Sequence, residues 1–292
     1  MNTKMTKNEN GNIDLEMAIP WADVLKTYNE VVDEITANAE LPGFRKGKAP
    51  KEKVQETLDK TKTYEEVLRH LIPHIYADAV KEHALKPIVS PSITLKTAKE
   101  GEDWIVLAIT CEKPSVTLGD YKKAIGEMKK EKLGGKIWTP GEAEKKAMPA
   151  GRQDEPKDTK PSIDEILNAL FSVTTVAIPE VLLEQETTRL LSNLIDQTKK
   201  LGLTVEQYIT STGRTSEQLH KEYEEEARKT ILLELALEEI AEKENIIVEE
   251  KDIDAMIETA KTPEEKEGLK KERYYIASIL RRQKTMQFLS EI

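Results

Sequence analysis

A chain of 292 residues with 34% charged residues, 5% aromatic residues and a formal net charge of −10 has length for two domains, each with a modest core. The acidic excess excludes general nucleic-acid binding, because a phosphate backbone repels most of such a surface. No apolar run is long enough to span a bilayer, the polar stretch from Met1 to Gly11 holds no secretory apolar core, and the single cysteine, Cys111, excludes an intramolecular disulfide, so the chain reads as cytoplasmic.

Residues 12–19 alternate, with Ile13, Leu15, Met17 and Ile19 on one side, which predicts a half-buried strand. Pro20 opens a helix whose apolar stripe runs from Trp21 through Val24, Tyr28 and Val31 to Ile35. A loop from Leu41 to Pro50 follows. Pro42 and Pro50 disfavour helix in the residue before each, and Pro50 suits the first position of a new helix. Gly43 and Gly47 allow positive φ, and Phe44, Arg45 and Lys46 lie between them. Lys48, Lys51 and Lys53 continue the positive charge, opposed by Glu52 alone. A tip stiffened at both ends, with one ring and an arginine fork, suits contact with another macromolecule; the plainer alternative is a solvated loop with Phe44 folded onto its own helices.

A short helix from Pro50 presents Val54 and Leu58, and Thr63 with Glu66 reads as a capping box opening a longer helix, bent at Pro73. Strands are expected near residues 93–97 and 104–111, separated by the turn-forming residues 99–103. Strand, helices and strands in this order make a compact α+β domain.

The order Gly43-Phe44-Arg45-Lys46-Gly47 with Pro50 resembles the ribosome-docking signature of the trigger factor family, complete over the pattern Gly-Phe-Arg-x-Gly-x-x-Pro. The element order of the first hundred residues is similar to that family's N-terminal domain. Residues 114–124 resemble the extended arm that leaves it. From Gly126 to Pro161 the chain departs from the family. This part is rich in Lys, Gly, Pro and Glu, shows no periodicity and reads as a flexible linker. Trigger factors commonly carry here a prolyl isomerase domain of the FK506-binding type. With one tryptophan, Trp138, and no phenylalanine, the segment lacks the residues for its aromatic pocket and the length for its strands.

The second half is patterned as helix almost throughout. Ser162 with Glu165, Thr215 with Gln218 and Thr262 with Glu265 mark helix starts, a short helix is expected from Thr204 to Thr212, and Gly202 and Gly213 mark ends. The stretches from Ile178 to Glu186 and from Leu201 to Ile209 resemble the family's C-terminal domain. The expected architecture is therefore an α+β N-terminal domain (residues 1–113), an arm and linker in place of an isomerase (114–160), and an all-α, cradle-like C-terminal domain (161–292), together multidomain and elongated.

Enzyme chemistry finds little footing. His70 and His74 are four apart on one predicted helix, but no third ligand lies near and Pro73 intervenes. Cys111 has no histidine partner in sequence reach and reads as a small core residue. Gly134-Gly135 lacks the following Lys-Ser or Lys-Thr of a phosphate loop. No cofactor, metal or catalytic residue is expected, and any chaperone cycle runs on binding and release without ATP.

The resemblance implies an ATP-independent chaperone that docks beside the ribosomal exit tunnel and holds nascent polypeptides open, aiding folding and export. Its docking residues are Gly43, Phe44, Arg45, Lys46, Gly47, Lys48 and Pro50. The partners implied are the large ribosomal subunit at the tunnel rim, through protein and ribosomal RNA, and unfolded polypeptides, with weak self-association left open. Met256 and Met286 are candidates for the client surface. Two other classes stand beside this reading: a trigger factor retaining isomerase activity, and a helical chaperone or adaptor that does not meet the ribosome.

Overall fold

The computed structural model describes residues 3–40, 42, 44–48, 50–134, 162–260 and 262–292. The chain divides into two compact units, the first built from residues 1–114 and 178–192, the second from 115–177 and 193–292.

The first unit is an antiparallel sheet of β1 (Thr3–Lys7), β2 (Ile13–Ile19), β3 (Ser92–Thr97) and β4 (Trp104–Thr110), in the spatial order β1-β2-β4-β3. On β2, Ile13, Leu15, Met17 and Ile19 are buried and the residues between them are not, as the alternation predicts. Trp104, Val106 and Ala108 of β4 continue that face. Helices α1 (Trp21–Asn38) and α3 (Lys60–Glu82) pack onto it through Val24, Val31, Val67 and Ile75, and α3 runs on through Pro73. The short helix α2 (Lys51–Thr57) lies between them in sequence, with Val54 buried. Three aromatic contacts fix α1 and α3 to the sheet. The Trp21 and Trp104 rings lie 6.3 Å apart, Tyr64 meets Trp104 edge-on at 5.2 Å, and Tyr28 lies 5.2 Å from Tyr64. Asp103 accepts the Trp21 backbone N–H at 3.0 Å, satisfying an orphan donor of the first turn of α1.

Several expectations need correction here. Strand β1 lies in the stretch read only as polar; an edge strand of Thr and Lys pairs through its backbone and needs little apolar patterning. Helix α3 begins three residues before the expected capping box. Asp59 caps it by accepting from the Thr61 N–H at 2.9 Å, and Thr63 is buried with its hydroxyl on the Asp59 carbonyl. Pro50 is the cap residue of α2 and not its first helical residue.

In the second unit, β5 (Val116–Leu118) and α4 (Tyr121–Gly134) occupy the beginning of the expected arm and linker. Tyr121 and Ile125 are fully buried with Ile166, Leu170, Ile240 and Leu289, so a lysine-rich stretch folds as a helix because three or four apolar residues share one face. The remainder of the expected linker, with Trp138, lies outside the described residues. After it come α5 (Ile163–Val173), β6 (Thr174–Val176), α6 (Glu180–Lys200), α7 (Val205–Thr212), α8 (Ser216–Lys243), α9 (Glu250–Glu258), α10 (Pro263–Lys271) and α11 (Arg273–Glu291). The capping boxes at Ser162, Thr215 and Thr262 form as read, a further one forms at Thr204, and Gly202 and Gly213 adopt positive φ at the helix ends. The region is mostly helical but not all-α, since β6 pairs antiparallel with β5. Gly119 extends that pairing: its N–H donates to the Val173 carbonyl at 2.8 Å, and a Cβ there would lie 2.8 Å from the same oxygen. The final predicted helix is two, broken at Glu272.

Residues 178–192 pack with the first unit, against an expected boundary at 161. Gly11, with φ of 82°, closes the β1–β2 turn and lies against the Pro179 ring. The Asn12 side-chain oxygen accepts the Val181 N–H at 3.3 Å. Val181 and Leu183 are buried in consequence.

Candidate docking loop and apolar cleft

The loop after α1 closes on itself at its base. Its chain leaves α1 at Ala39, whose carbonyl accepts the Gly47 N–H at 3.0 Å, and Lys48 N–H donates to the Arg45 carbonyl at 2.9 Å. Gly47 has φ of 68°, and a Cβ on it would lie 2.6 Å from the Ala37 carbonyl oxygen. Only glycine satisfies both the left-handed backbone and that approach. The result is a compact loop whose closure holds Phe44, Arg45 and Lys46 outward.

Phe44 is 41% exposed, and Arg45, Lys46 and Lys48 are exposed. Among the described residues none of these cations has an ion-pair partner. Lys51 differs: it pairs with Asp33 at 2.6 Å, bracing the start of α2 against α1, so its charge is spent within the fold. Pro50 is exposed as the cap of α2, and Gly43 lies outside the described residues. The geometry thus brings a ring, a guanidinium and two ammoniums to one solvent-facing turn on an acidic chain. Such a turn can insert its ring in an apolar niche while Arg45 engages a carboxylate or phosphate.

In the second unit, the end of α8, the segment 246–248 and the start of α11 enclose an open cleft of about 480 Å³. Leu237, Ala241, Ile246, Val248 and Ala277 line it, with Ile247 73% exposed and Tyr274 91% exposed at its mouth. Arg281 and Arg282 stand at one side, the first donating to the Ile246 carbonyl at 3.1 Å and the second paired with Glu234. Large apolar side chains left this open mark an interaction surface. Neither Ile247 nor Tyr274 stands out in the sequence, because the run Ile246-Ile247-Val248 carries no period. Of the two methionines expected at a client surface, Met256 on α9 is exposed. Met286 on α11 is partly buried and packs onto the core around Leu289.

His70 lies 3.6 Å from Glu66, four residues earlier on α3, and no group of three or more metal-ligating side chains occurs among the described residues. Cys111 is buried, and burial pushes its thiol up to about 11, away from any thiolate chemistry. Among the described residues no helix is long and apolar enough to cross a membrane.

A module presenting an exposed basic tip and a helical module with an open apolar cleft define a two-part binding protein. Comparison with known proteins agrees over both parts. The family model described as bacterial trigger factor protein matches residues 1–134, and that of the bacterial trigger factor C-terminus matches residues 156–291. The chain belongs to the trigger factor family, whose members are chaperones. The trigger factor of Enterococcus faecalis is 21% identical, the match covering 88% of this chain and 90% of that protein; for the Listeria innocua protein the figures are 22%, 93% and 92%. The Lactococcus lactis trigger factor is 33% identical over a shorter match covering 37% of this chain and 25% of the relative. A solved structure titled for promiscuous substrate recognition by the trigger factor chaperone superposes with a TM-score of 0.60 at 16% identity, covering 100% of this chain and 99% of that one. The matches to the Enterococcus and Listeria proteins extend over 384 and 398 positions, more than the 292 residues here, so those relatives carry a long middle region that this chain lacks.

Proposed function

We propose that this chain is an ATP-independent chaperone of the cytoplasm that docks at the exit of the ribosomal tunnel and holds emerging polypeptides there. Docking runs through Phe44, Arg45, Lys46 and Lys48, with Gly47 and Pro50 shaping the loop and Gly43 completing the sequence pattern. Phe44 fills an apolar niche on a rim protein, Arg45 pairs with a carboxylate or a ribosomal RNA phosphate, and Lys46 and Lys48 add attraction that salt screens. Clients rest on the cleft around Ile247 and Tyr274, with Met256 as a further contact, weakly enough to leave without ATP. The domain plan behind this is an N-terminal docking domain, a short connector and a helical client domain. The family models leave only residues 135–155 between them, too few for a domain with its own core, which supports a chaperone without isomerase chemistry.

The observation that carries the reading is the outward exposure of Phe44 and Arg45 on a loop pinned by Gly47. Co-sedimentation with ribosomes tests it. The wild-type chain pellets with ribosomes and the Phe44→Ala/Arg45→Ala/Lys46→Ala variant stays in the supernatant. Equal pelleting of the two overturns it.

A further inference from the structure

The sheet of the first unit has two unlike edges. β1 carries Lys4 and Lys7 along one, the usual means of discouraging a further strand. β3 forms the other, and all six of its residues are exposed. Ile93 and Leu95 pair with Ala108 and Val106, two residues buried on the helix-covered face, yet are themselves 36% and 42% exposed. The apolar face of the sheet therefore continues one strand beyond its helical cover and stops at an open row of backbone donors and acceptors. Lys96, the one charge on β3, is drawn across the opposite face by Glu16 at 2.8 Å and leaves this shelf apolar. A register shift between Leu95 and Thr97 confines a regular ladder to residues 92–95.

Beyond Ser92 the edge runs into an open cleft of about 660 Å³, walled by Ile88 and Val89 on one side and Val181 and Leu182 of α6 on the other. Gln185 holds the two walls together by donating to the Ser90 carbonyl. Glu184 stands exposed on this cleft with no ion pair among the described residues.

We infer that the β3 edge and this cleft capture an extended polypeptide segment by strand addition, one with apolar residues at alternate positions and a Lys or Arg past the Ser92 end. The inference rests on the chaperone reading for its occupant, but places client contact on the docking unit itself. The backbone row selects an extended main chain, the Ile93–Leu95 shelf selects alternate apolar side chains, and Glu184 selects the terminal cation. A second copy of this chain fits poorly. A strand of six residues is about 20 Å long, and pairing it with itself covers far less than the roughly 800 Å² per partner of a stable interface. Weak, reversible capture is what such a short edge provides.

The test uses the full chain, the blocked peptide Lys-Thr-Val-Thr-Val-Thr-Val-Lys, and hydrogen exchange read across residues 92–97. The peptide slows exchange at residues 92–95. Of two peptides N-methylated on alternate amides, one set or the other, one loses the effect and the other keeps it, because only the amides facing β3 are needed. Ile93→Lys/Leu95→Lys, at two exposed positions and with an unchanged melting temperature, weakens peptide binding at least about tenfold. Glu184→Gln weakens this peptide and leaves a version with both lysines replaced by Thr unaffected. Unchanged exchange at β3 with bound peptide, protection confined to the Ile247–Tyr274 cleft, or β3 protection that grows with protein concentration in the absence of peptide each overturns the inference. Failure of the full chain to suppress aggregation of a denatured client, with β3 still protected by the peptide, instead removes the chaperone reading and leaves the strand-addition site standing.

Discussion

Asn12, at the head of the second strand, caps a helix whose sequence begins well over a hundred residues later: its side-chain oxygen accepts the N–H of Val181 at 3.3 Å. That N–H is one of the four a helix leaves without an internal partner, and Val181 is buried, so no solvent replaces the bond. Asn12→Ala is expected to destabilise the first unit by about 1–2 kcal/mol, measured as a lowered urea midpoint at unchanged slope.

Gly47→Ala separates loop shape from loop chemistry, since it leaves Phe44, Arg45 and Lys46 in place. The added methyl meets the Ala37 carbonyl and the backbone must leave φ of 68°. The expected outcome is ribosome binding weakened about tenfold, a cost on the order of 1–2 kcal/mol, with clients still bound by the helical unit. Binding isotherms with purified ribosomes and an unfolded client measure the two separately.

Glu244 accepts from Lys122 at 2.7 Å and from the Tyr121 hydroxyl at 2.6 Å. The lysine first and the tyrosine second hold its carboxyl below the usual carboxylate range. A carboxylate with a depressed folded value adds stability above its unfolded value, and that stability is lost as pH falls through the folded one. Against Glu244→Gln, the wild-type chain is therefore more stable at pH 7, and the difference shrinks as pH falls below about 4.5. Paired thermal melts between pH 7 and pH 3 measure the closing gap.

Burial raises the Tyr64 hydroxyl to about 12, with its hydrogen bond to Glu100 at 3.0 Å adding to the effect. An alkaline absorbance titration shows Tyr64 ionising after the exposed tyrosines. Tyr121 and Tyr223 are likewise raised by burial, so Tyr64→Phe, which keeps the ring against Trp104, reduces the late component by one tyrosine without abolishing it and costs about 1 kcal/mol or less.

Cys111 is buried with a thiol raised to about 11, so a disulfide reagent at pH 8 labels it only on unfolding. Its labelling rate in rising urea reports opening of the first unit, and is faster in Asn12→Ala at equal urea.

The parts legible in the sequence are those where one period dominates. Alternation in β2 and β4 and the stripe of α1 reveal the sheet and its cover, and the capping boxes at Ser162, Thr215 and Thr262 reveal helix starts. The turn of the loop after α1 is legible because its glycine stands there for a steric reason. The Gly47 φ and its approach to Ala37 give that reason. β1 is hidden because a lysine-bearing edge strand is set by its neighbour. α4 is hidden because Tyr121 and Ile125 are apolar islands among lysines and find their partners on α5, α8 and α11. The cleft around Ile247 and Tyr274 depends on which helix ends meet, which no local pattern records. The Asn12–Val181 bond belongs to the same class, as a long-range pairing between two unremarkable residues.

Because residues 178–192 complete the unit that carries the docking loop, vectorial synthesis delivers that unit late. A growing chain that has emerged only through residue 114 has its sheet, but Gly11 and Asn12 still face water and α6 has yet to arrive. The newborn protein thus becomes a finished ribosome ligand only after most of its own translation is over.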